Sequence, residues 1–215
     1  MSIAVVTAAI GPTYHRFLDP WSQAIQRLDR TPDEIIIVTD DVEEAEMWVH
    51  WQPGLRLIEA TTKYVNHPQV CVNDAIAATT TDWVCKMDVD DELYRHALDP
   101  LAEVDADVYM FGIRLNEVNL PARHVTRGEV LRTPHNLVFS GSPFRRWVWE
   151  HSPYQDMICE DWRFWVDAAR NGARFLASPT IDYRYVIHGS NISLNTDQPR
   201  WENEVRRYQD QLRRV

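Results

Sequence analysis

The chain has 215 residues, of which 45% are apolar and 25% are charged, and its formal net charge at pH 7 is −10. This composition is sufficient for one sizeable hydrophobic core, so we expect a single domain over residues 1–215. The acidic net charge argues against general binding to nucleic acid or to an anionic membrane, since both require a basic surface.

Short apolar runs that are rich in β-branched residues predict four buried strands. They cover residues 3–10, 34–41, 55–60 and 83–87. Between these runs, apolar residues recur at helical intervals. The segments with this spacing are residues 15–28, 42–51 and 67–80. Because strands alternate with helices, the sequence predicts an α/β fold with an open, mostly parallel, Rossmann-like sheet flanked by helices.

The pattern is less regular after the first hundred residues. A further strand is predicted over residues 107–116. The next stretch, residues 117–136, contains Pro, His and Arg and is interpreted as either a hairpin or a mobile loop. Two helices follow, over residues 160–172 and 200–214, each with apolar residues on one face. Gly172 is a typical terminator of the first helix.

Cysteine usage and the N-terminal segment indicate the cellular compartment. Cys71, Cys85 and Cys159 are few, odd in number and without C-x-x-C spacing, which favours reduced core thiols over disulfides or zinc ligands. The N-terminus lacks the basic region and long apolar run of a secretory signal, and no segment reaches the length of a membrane span. We therefore expect a cytoplasmic protein.

The stretch "WVCKMDVDD" ends a predicted buried strand with Asp88, Asp90 and Asp91. Carboxylates this close raise one another's pKa and cost stability unless water, a cation or a hydrogen-bond donor compensates. In open α/β sheets ligands bind beyond the carboxyl ends of the strands, where Asp40 and Asp41 also lie. Two interpretations remain open: the acids hold Mg²⁺ or Mn²⁺, which prefer oxygen ligands, or they form a solvated turn that caps a following helix.

The sequence around this cluster resembles family 2-type glycosyltransferases with the GT-A fold. In that family an Asn-bearing helix and an A-x-G-D/E-W/Y turn lead into the strand that ends in the DxD motif. The residues at the matching places are Asn73, Ala77, Asp82, Trp83, Asp88, Asp90 and Asp91. Thr81 replaces the usual glycine of the turn.

Two further motifs of the same family follow in order. The pair Glu160 and Asp161 opens a predicted helix, as the family's "E-D" does, and "YRYVIHGSNIS" is similar to its closing "Y-R-x-H-x-x-S" strand. The DxD motif alone is a weak signal, whereas the ordered set is more specific. The resemblance covers most of residues 3–193 and implies three parts. These are a nucleotide-sugar-binding half (1–116), an acceptor-side half (117–198) and a C-terminal helix (199–215).

The resemblance also implies an activity. The chain is expected to be an inverting hexosyltransferase that moves a sugar from a nucleoside diphosphate, above all UDP, to an acceptor hydroxyl with the help of Mn²⁺ or Mg²⁺. The acceptor is left open among glycan, protein, lipid and modified nucleobase. One alternative is a non-catalytic protein that binds nucleotide sugars or glycans. Another is a nucleotidyltransferase of similar fold, although residues 7–17 lack the Gly-rich basic loop that this would require.

Each site residue has an expected role by this resemblance. Asp161 would be the catalytic base, with Glu160 as the second catalytic candidate. The donor nucleotide would contact Thr7, Ala9, Tyr14, Asp40 or Asp41, Lys63, Asn73 and Asp88. The metal would be held by Asp88, Asp90 and Asp91, with His188 as a further contact to the metal or the diphosphate.

Structural roles are the alternative for several of these residues. Acids in the first turn of a helix, such as Glu160 and Asp161, contribute about 0.3–1 kcal/mol each through the helix dipole alone. A single histidine such as His188 is often only a hydrogen-bonding residue.

Overall fold

The four N-terminal apolar runs form the parallel part of a sheet in the computed structural model, which describes residues 1–189, 191 and 197–213. The strands are β1 (Ile3–Ala9), β2 (Glu34–Thr39), β3 (Leu55–Glu59) and β4 (Trp83–Lys86). They pair in parallel in the order β3-β2-β1-β4. β1 is buried along its whole length, as expected for a central strand that is covered on both faces.

Short helices connect these strands and return the chain to the start of the next one. They are α1 (Pro12–His15), α2 (Leu18–Gln26), α3 (Val42–Trp48) and α4 (Val72–Ala77), with a 3₁₀ turn over Pro68–Cys71. α2 buries Leu18, Trp21 and Ile25, which recur at helical spacing and face one core of the sheet. The helical segments predicted for this half are therefore confirmed.

The remaining strands extend the same sheet with mixed directions. They are β5 (Glu92–Leu93), β6 (Val108–Leu115), β7 (Val118–Leu120), β8 (Phe144–Arg145) and β9 (Phe175–Tyr185). Beyond β4 the order is β8-β6-β9-β5, and β7 pairs with β6. β6 and β9 are parallel, whereas the other pairs here are antiparallel. The predicted α/β fold with a mostly parallel sheet is confirmed, although these antiparallel pairs were not predicted.

Four more helices pack around this half in the part of the chain that the structure describes. They are α5 (Arg127–Arg132), α6 (Arg146–His151), α7 (Glu160–Arg170) and α8 (Gln198–Leu212). α7 buries Trp162 and Trp165 on its predicted face, and Gly172 follows it with a φ of 95°, a left-handed conformation that glycine adopts without strain. α8 buries Tyr208 and matches the last predicted helix. Residues 214–215 of that prediction lie outside the described residues.

The stretch 117–136 contains a strand and a helix. β7 pairs with β6 in a hairpin whose turn includes Asn116, with a φ of 53°. α5 then begins with a capping box, in which Thr126 and Glu129 satisfy each other's backbone N–H groups. The hairpin alternative is thus confirmed for the first part of the stretch.

The segment after the acid cluster is not a helix. Residues 92–93 form β5, which pairs with β9, and residues 99–102 form a 3₁₀ turn. The interpretation of Asp88 to Asp91 as the cap of a following helix is therefore wrong, because the chain joins the sheet instead. The acids lie beyond the carboxyl end of β4.

The sheet separates two hydrophobic cores. Alternate residues of β1 enter opposite cores, with Val6 on one face and Val5 on the other. The three cysteines, Cys71, Cys85 and Cys159, are buried and free, which confirms the prediction of reduced core thiols. No helix in the described part of the chain is long and apolar enough to span a bilayer.

Gly112 permits the close approach of β6 and β9 where their register shifts. A Cβ at this position would lie 2.4 Å from the backbone oxygen of Thr180, which cannot rotate away as a side chain can. Gly112→Ala is therefore expected to lower the free energy of unfolding by about 1–3 kcal/mol, measured by urea denaturation. Gly189→Ala is the control, since an added Cβ there meets no atom within 4 Å. An equal loss in both variants would contradict the steric explanation.

Candidate functional site

The acids after β4 and the acids at the start of α7 share one cavity. It has a volume of about 260 Å³ and lies at the carboxyl edge of the parallel strands. Five carboxylates line it, those of Asp88, Asp90, Asp91, Glu160 and Asp161. The DxD and E-D acids, which are about seventy positions apart in the sequence, are therefore neighbours in the fold.

Lys86 places one positive charge beneath these acids. It is the last residue of β4, its side chain is only 2% exposed, and it is the only Lys or Arg that lines the cavity within the described residues. Its Nζ lies 2.8 Å from Oδ1 of Asp88 and 3.6 Å from Oδ1 of Asp161. Burial disfavours the ammonium, but the charges of Asp161 and Asp88 raise the pKa of Lys86 well above its usual value. Lys86 therefore remains charged.

Asp88 and Asp161 each approach Lys86 through their Oδ1 atom. In each the Oδ1 atom is buried, whereas the side chain as a whole keeps 20% and 19% of its surface exposed, respectively. Burial raises the pKa of Asp161, and Lys86 opposes this effect. The two carboxylates thus each turn one oxygen toward the ammonium.

Asp90 contacts the segment after β9. Its Oδ2 lies 2.7 Å from Nε2 of His188 and accepts a hydrogen bond of 3.3 Å from Nδ2 of Asn191. Burial and the charge of Asp88 raise the pKa of Asp90, whereas His188 lowers it. The structure thus brings together Asp90 and His188, two of the predicted metal contacts.

Asp91 is directed into the protein. Its Oδ2 accepts a hydrogen bond of 2.9 Å from the hydroxyl of Tyr183, and its Oδ1 accepts one of 2.8 Å from the backbone N–H of Val186. Burial, followed by the charges of Asp88 and Asp90, raises the pKa of Asp91 well above its usual value. Both oxygens of this predicted metal ligand are therefore engaged in joining the acid cluster to β9.

Glu160 faces His67 rather than a lysine or arginine. Nδ1 of His67 lies 3.4 Å from Oε1 of Glu160, and both side chains are largely buried. Burial, with a smaller contribution from Lys86, lowers the pKa of His67 to about 4. Burial and the charge of Asp161 raise the pKa of Glu160 well above its usual value. Burial therefore favours the uncharged form of both side chains.

Asp156 fixes the backbone at His67. Its carboxylate accepts hydrogen bonds from three successive backbone N–H groups, those of Val65, Asn66 and His67, at 2.6 to 2.9 Å. This clamp connects the segment before α4 with the segment before α7. No sequence motif marks Asp156 or His67, because their roles depend on contacts between segments that are far apart in the chain.

Asp40 and Asp41 have different surroundings, which a second, smaller cavity shows. It has a volume of about 180 Å³ and is lined in part by Asp40 and Lys63. Asp40 accepts a hydrogen bond of 2.8 Å from the backbone N–H of Gly11. Asp41 instead caps α3 by accepting from the backbone N–H of Glu44 at 2.9 Å. Only Asp40 of the two lines this cavity.

The other predicted nucleotide contacts have different positions. Tyr14 lines the larger cavity. Thr7 and Ala9 are buried in β1 and line neither cavity. The amide of Asn73 donates to the backbone oxygen of Tyr154 at 2.8 Å and accepts from Nε1 of Trp149 at 2.8 Å. Asn73 thus holds the segment that precedes α7.

The donor set at the larger cavity fits a cation that is shared with a ligand. Within residues 1–189, 191 and 197–213, no three His, Cys, Asp or Glu side chains are placed to hold a metal ion by themselves. Mg²⁺ and Mn²⁺ usually bind one or two carboxylates and complete their coordination with water and substrate phosphates. Asp88 and Asp90 line the cavity and His188 contacts Asp90, so these side chains provide the chemistry of such a partial set.

This chain is similar in structure to proteins whose structures have been solved. No protein-family model and no curated protein matches the sequence. S. aureus TarS 1–349 in complex with UDP-GlcNAc matches with a TM-score of 0.73 and 18% identity, over 97% of this chain and 65% of that chain. The mannosyltransferase PcManGT from Pyrobaculum calidifontis, in complex with GDP-Man and Mn²⁺, matches with a TM-score of 0.64 and 18% identity, over 88% of this chain and 58% of that chain.

These matches establish the fold. The chain spans less than two thirds of the length of either protein. The GT-A-type fold implied by the sequence resemblance is confirmed.

The neutral state of His67 predicts a loss of stability in acid. Its folded pKa of about 4 lies below the ordinary value of 6.5, so its contribution is complete above pH 6.5 and is lost as the pH falls toward 4. Between pH 7 and pH 5, the wild type is expected to lose about 2 kcal/mol more unfolding free energy than His67→Gln. Urea denaturation of both proteins at the two pH values measures this difference. Parallel pH dependences would contradict a buried neutral His67.

Proposed function

We propose that this chain is a glycosyltransferase that moves a hexose from a nucleoside diphosphate donor, UDP in particular, to an acceptor hydroxyl with inversion. The observation that supports this proposal is the shared cavity, where the DxD acids lie beside Asp161. Such a reaction requires neutralisation of the leaving diphosphate and a base for the attacking hydroxyl. One cavity contains candidates for both tasks.

The charge of the cavity supports a role for a divalent cation. Five carboxylates and one lysine line the cavity, and the pKa values of Glu160 and Asp91 are raised well above their usual values. Even with those two acids protonated, the remaining carboxylates outnumber the lysine and would repel a diphosphate. Asp90 and His188 would hold Mn²⁺ or Mg²⁺, which would offset negative charge on the departing diphosphate.

The smaller cavity is the proposed nucleoside site. Asp40 presents a carboxylate whose position is fixed by Gly11, and the exposed Lys63 lines the same cavity. A carboxylate at this place can accept a hydrogen bond from a base N–H or a ribose hydroxyl. Asp40 is therefore preferred to Asp41, which is engaged as the cap of α3.

Asp161 is the proposed base. The acceptor oxygen attacks the anomeric carbon, its proton passes to Asp161, and the bond to the diphosphate breaks with its electron pair leaving on the diphosphate. Lys86 beside Asp161 favours the carboxylate form that can take a proton. Glu160 lies beside His67 instead, and burial together with the charge of Asp161 favours its protonated form. Glu160 is thus better suited to donate a hydrogen bond than to remove a proton.

UDP binding is expected to require a divalent cation through Asp90. Calorimetric titration of the wild type with UDP should show about 10- to 100-fold tighter binding with Mn²⁺ than with EDTA. Asp90→Asn should lose this difference, because it removes a carboxylate from the partial donor set. Asp105→Asn is the matched control, since Asp105 is an exposed acid paired with Arg174 and lines neither cavity. Equal wild-type affinity with EDTA and Mn²⁺ would remove the metal from the proposal.

Substitution of Asp161 and of Glu160, one at a time, distinguishes the proposed base from its neighbour. Asp161→Asn keeps the side-chain shape but cannot take a proton, so kcat should fall by about 10²–10⁴ while UDP affinity is retained. Glu160→Gln resembles the protonated acid that burial favours, so its loss should stay within about tenfold. The measurement is UDP release from UDP-GlcNAc and UDP-glucose, with simple saccharides or water as acceptor.

Two outcomes would contradict this assignment. A folded, UDP-binding Asp161→Asn protein with near-wild-type kcat would exclude Asp161 as the base, and Glu160 would be tested next. Absence of UDP or GDP release by the wild type from every UDP- and GDP-sugar would instead favour a protein that binds nucleotide sugars without turning them over.

A further inference from the structure

We infer that Lys86 is a positioning residue, whose buried ammonium holds the carboxylates of Asp88 and Asp161 in fixed orientations at the floor of the cavity. This inference rests on the proposed function and adds a residue that neither the DxD nor the E-D motif contains. Lys86 makes no bond to the reacting atoms and transfers no proton. It acts through the two acids.

The geometry places one ammonium between acids from two distant segments. Nζ of Lys86 is 2.8 Å from Oδ1 of Asp88, which follows β4, and 3.6 Å from Oδ1 of Asp161, in the first turn of α7. Without a cation between them, these like charges would repel each other in a low-dielectric site. The ammonium therefore links the acid cluster after β4 to α7.

The contacts with Lys86 determine which carboxylate oxygens of Asp88 and Asp161 remain available to bind a ligand. Oδ1 of Asp88 and Oδ1 of Asp161 are both buried against Lys86. Both residues still line the cavity. Their Oδ2 atoms are consequently the ones left for the donor and for the acceptor hydroxyl.

Lys86 also contacts the aromatic ring of Tyr154. The aromatic ring of Tyr154 lies 5.9 Å from Nζ, and Tyr154 is stacked on Phe164 of α7. Asn73 bonds both the backbone N–H and the backbone oxygen of Tyr154. The buried ring of Tyr154 thus lies against one side of the Lys86 ammonium.

The chemistry of a lysine suits this position. Lys63 and Lys86 are the only lysines among 22 basic residues. An ammonium is a compact charge with three rotatable donors and can contact two carboxylates that approach from different directions, whereas the guanidinium of arginine is larger, planar and has donors in a rigid geometry. Because Lys86 is 2% exposed and already neutralised by two acids, it is a poor contact for an incoming diphosphate.

A double-mutant cycle in catalysis tests the inference. Lys86→Met is expected to lower kcat by about 10²-fold in the wild-type background, because the base is misplaced, with only a few-fold change in the KM for the donor. In the Asp161→Asn background, where the base is already absent, Lys86→Met should lower kcat further by no more than about threefold. A purely structural lysine would give the same factor in both backgrounds, and that result would overturn the inference.

Unfolding provides a readout that does not require transfer. Lys86→Met should lower the urea midpoint more in the wild type than in Asp161→Asn, because removal of Asp161 relieves part of the uncompensated charge. The control cycle is Arg95→Met with Asp29→Asn, an exposed ion pair of 2.6 Å that is expected to show little coupling. Coupling between Lys86 and Asp161 no larger than in this control would overturn the inference.

Lys86→Arg covers the case in which Lys86→Met does not fold. It keeps a positive charge but cannot place a compact ammonium between the two oxygens, so a folded Lys86→Arg protein should have kcat lowered by about 10-fold or more. Wild-type kcat in this variant would overturn the inference. Failure of the wild type to bind UDP or to release it from any donor would overturn the proposed function, and with it the catalytic part of this inference.

Discussion

Burial of like charges beside one another is the constraint on which this cavity depends. Most of these carboxylates are compensated by a partner from a different part of the chain, whereas Asp88 is paired with Lys86 of the preceding strand. Asp91 is bonded by Tyr183 of β9, Asp90 contacts the segment after β9, and Asp88 and Asp161 share Lys86. Since an unpaired buried charge is costly, the acids can occupy these positions only if the distant segments are in place. The contacts that compensate these carboxylates are therefore also contacts that hold distant segments of the fold together.

The topology brings these partners together. The parallel strands end at one edge, so that the acids after β4 emerge beside the ends of β1 and β2. The antiparallel strand β8 then connects β4 to the β6-β9 pair, which carries Tyr183 to the acid cluster.

The sequence predicts the parallel half well because β1, β2 and β4 are buried on both faces and read as continuous apolar runs. It does not predict β5 and β8, since two-residue strands have no period that a pattern could reveal. The same limit applies to the site. Motifs locate the acids, but the roles of Lys86 and His67 depend on contacts across the fold. A charged residue within the apolar run "WVCKM" was the one available signal for Lys86, because an isolated buried charge requires a partner.

The scarcity of lysine has a practical consequence for labelling this protein. Besides the N-terminal amine, the chain has two primary amines, and they differ sharply in access: Lys63 is exposed, whereas Lys86 is enclosed by carboxylates. An amine-reactive acylating reagent under native conditions should therefore attach a dye or crosslinker at Lys63, which lines the smaller cavity. Lys63 is thus a nearly unique natural attachment point for a spectroscopic probe. Modification of Lys86 would indicate that its contacts with Asp88 and Asp161 had been lost.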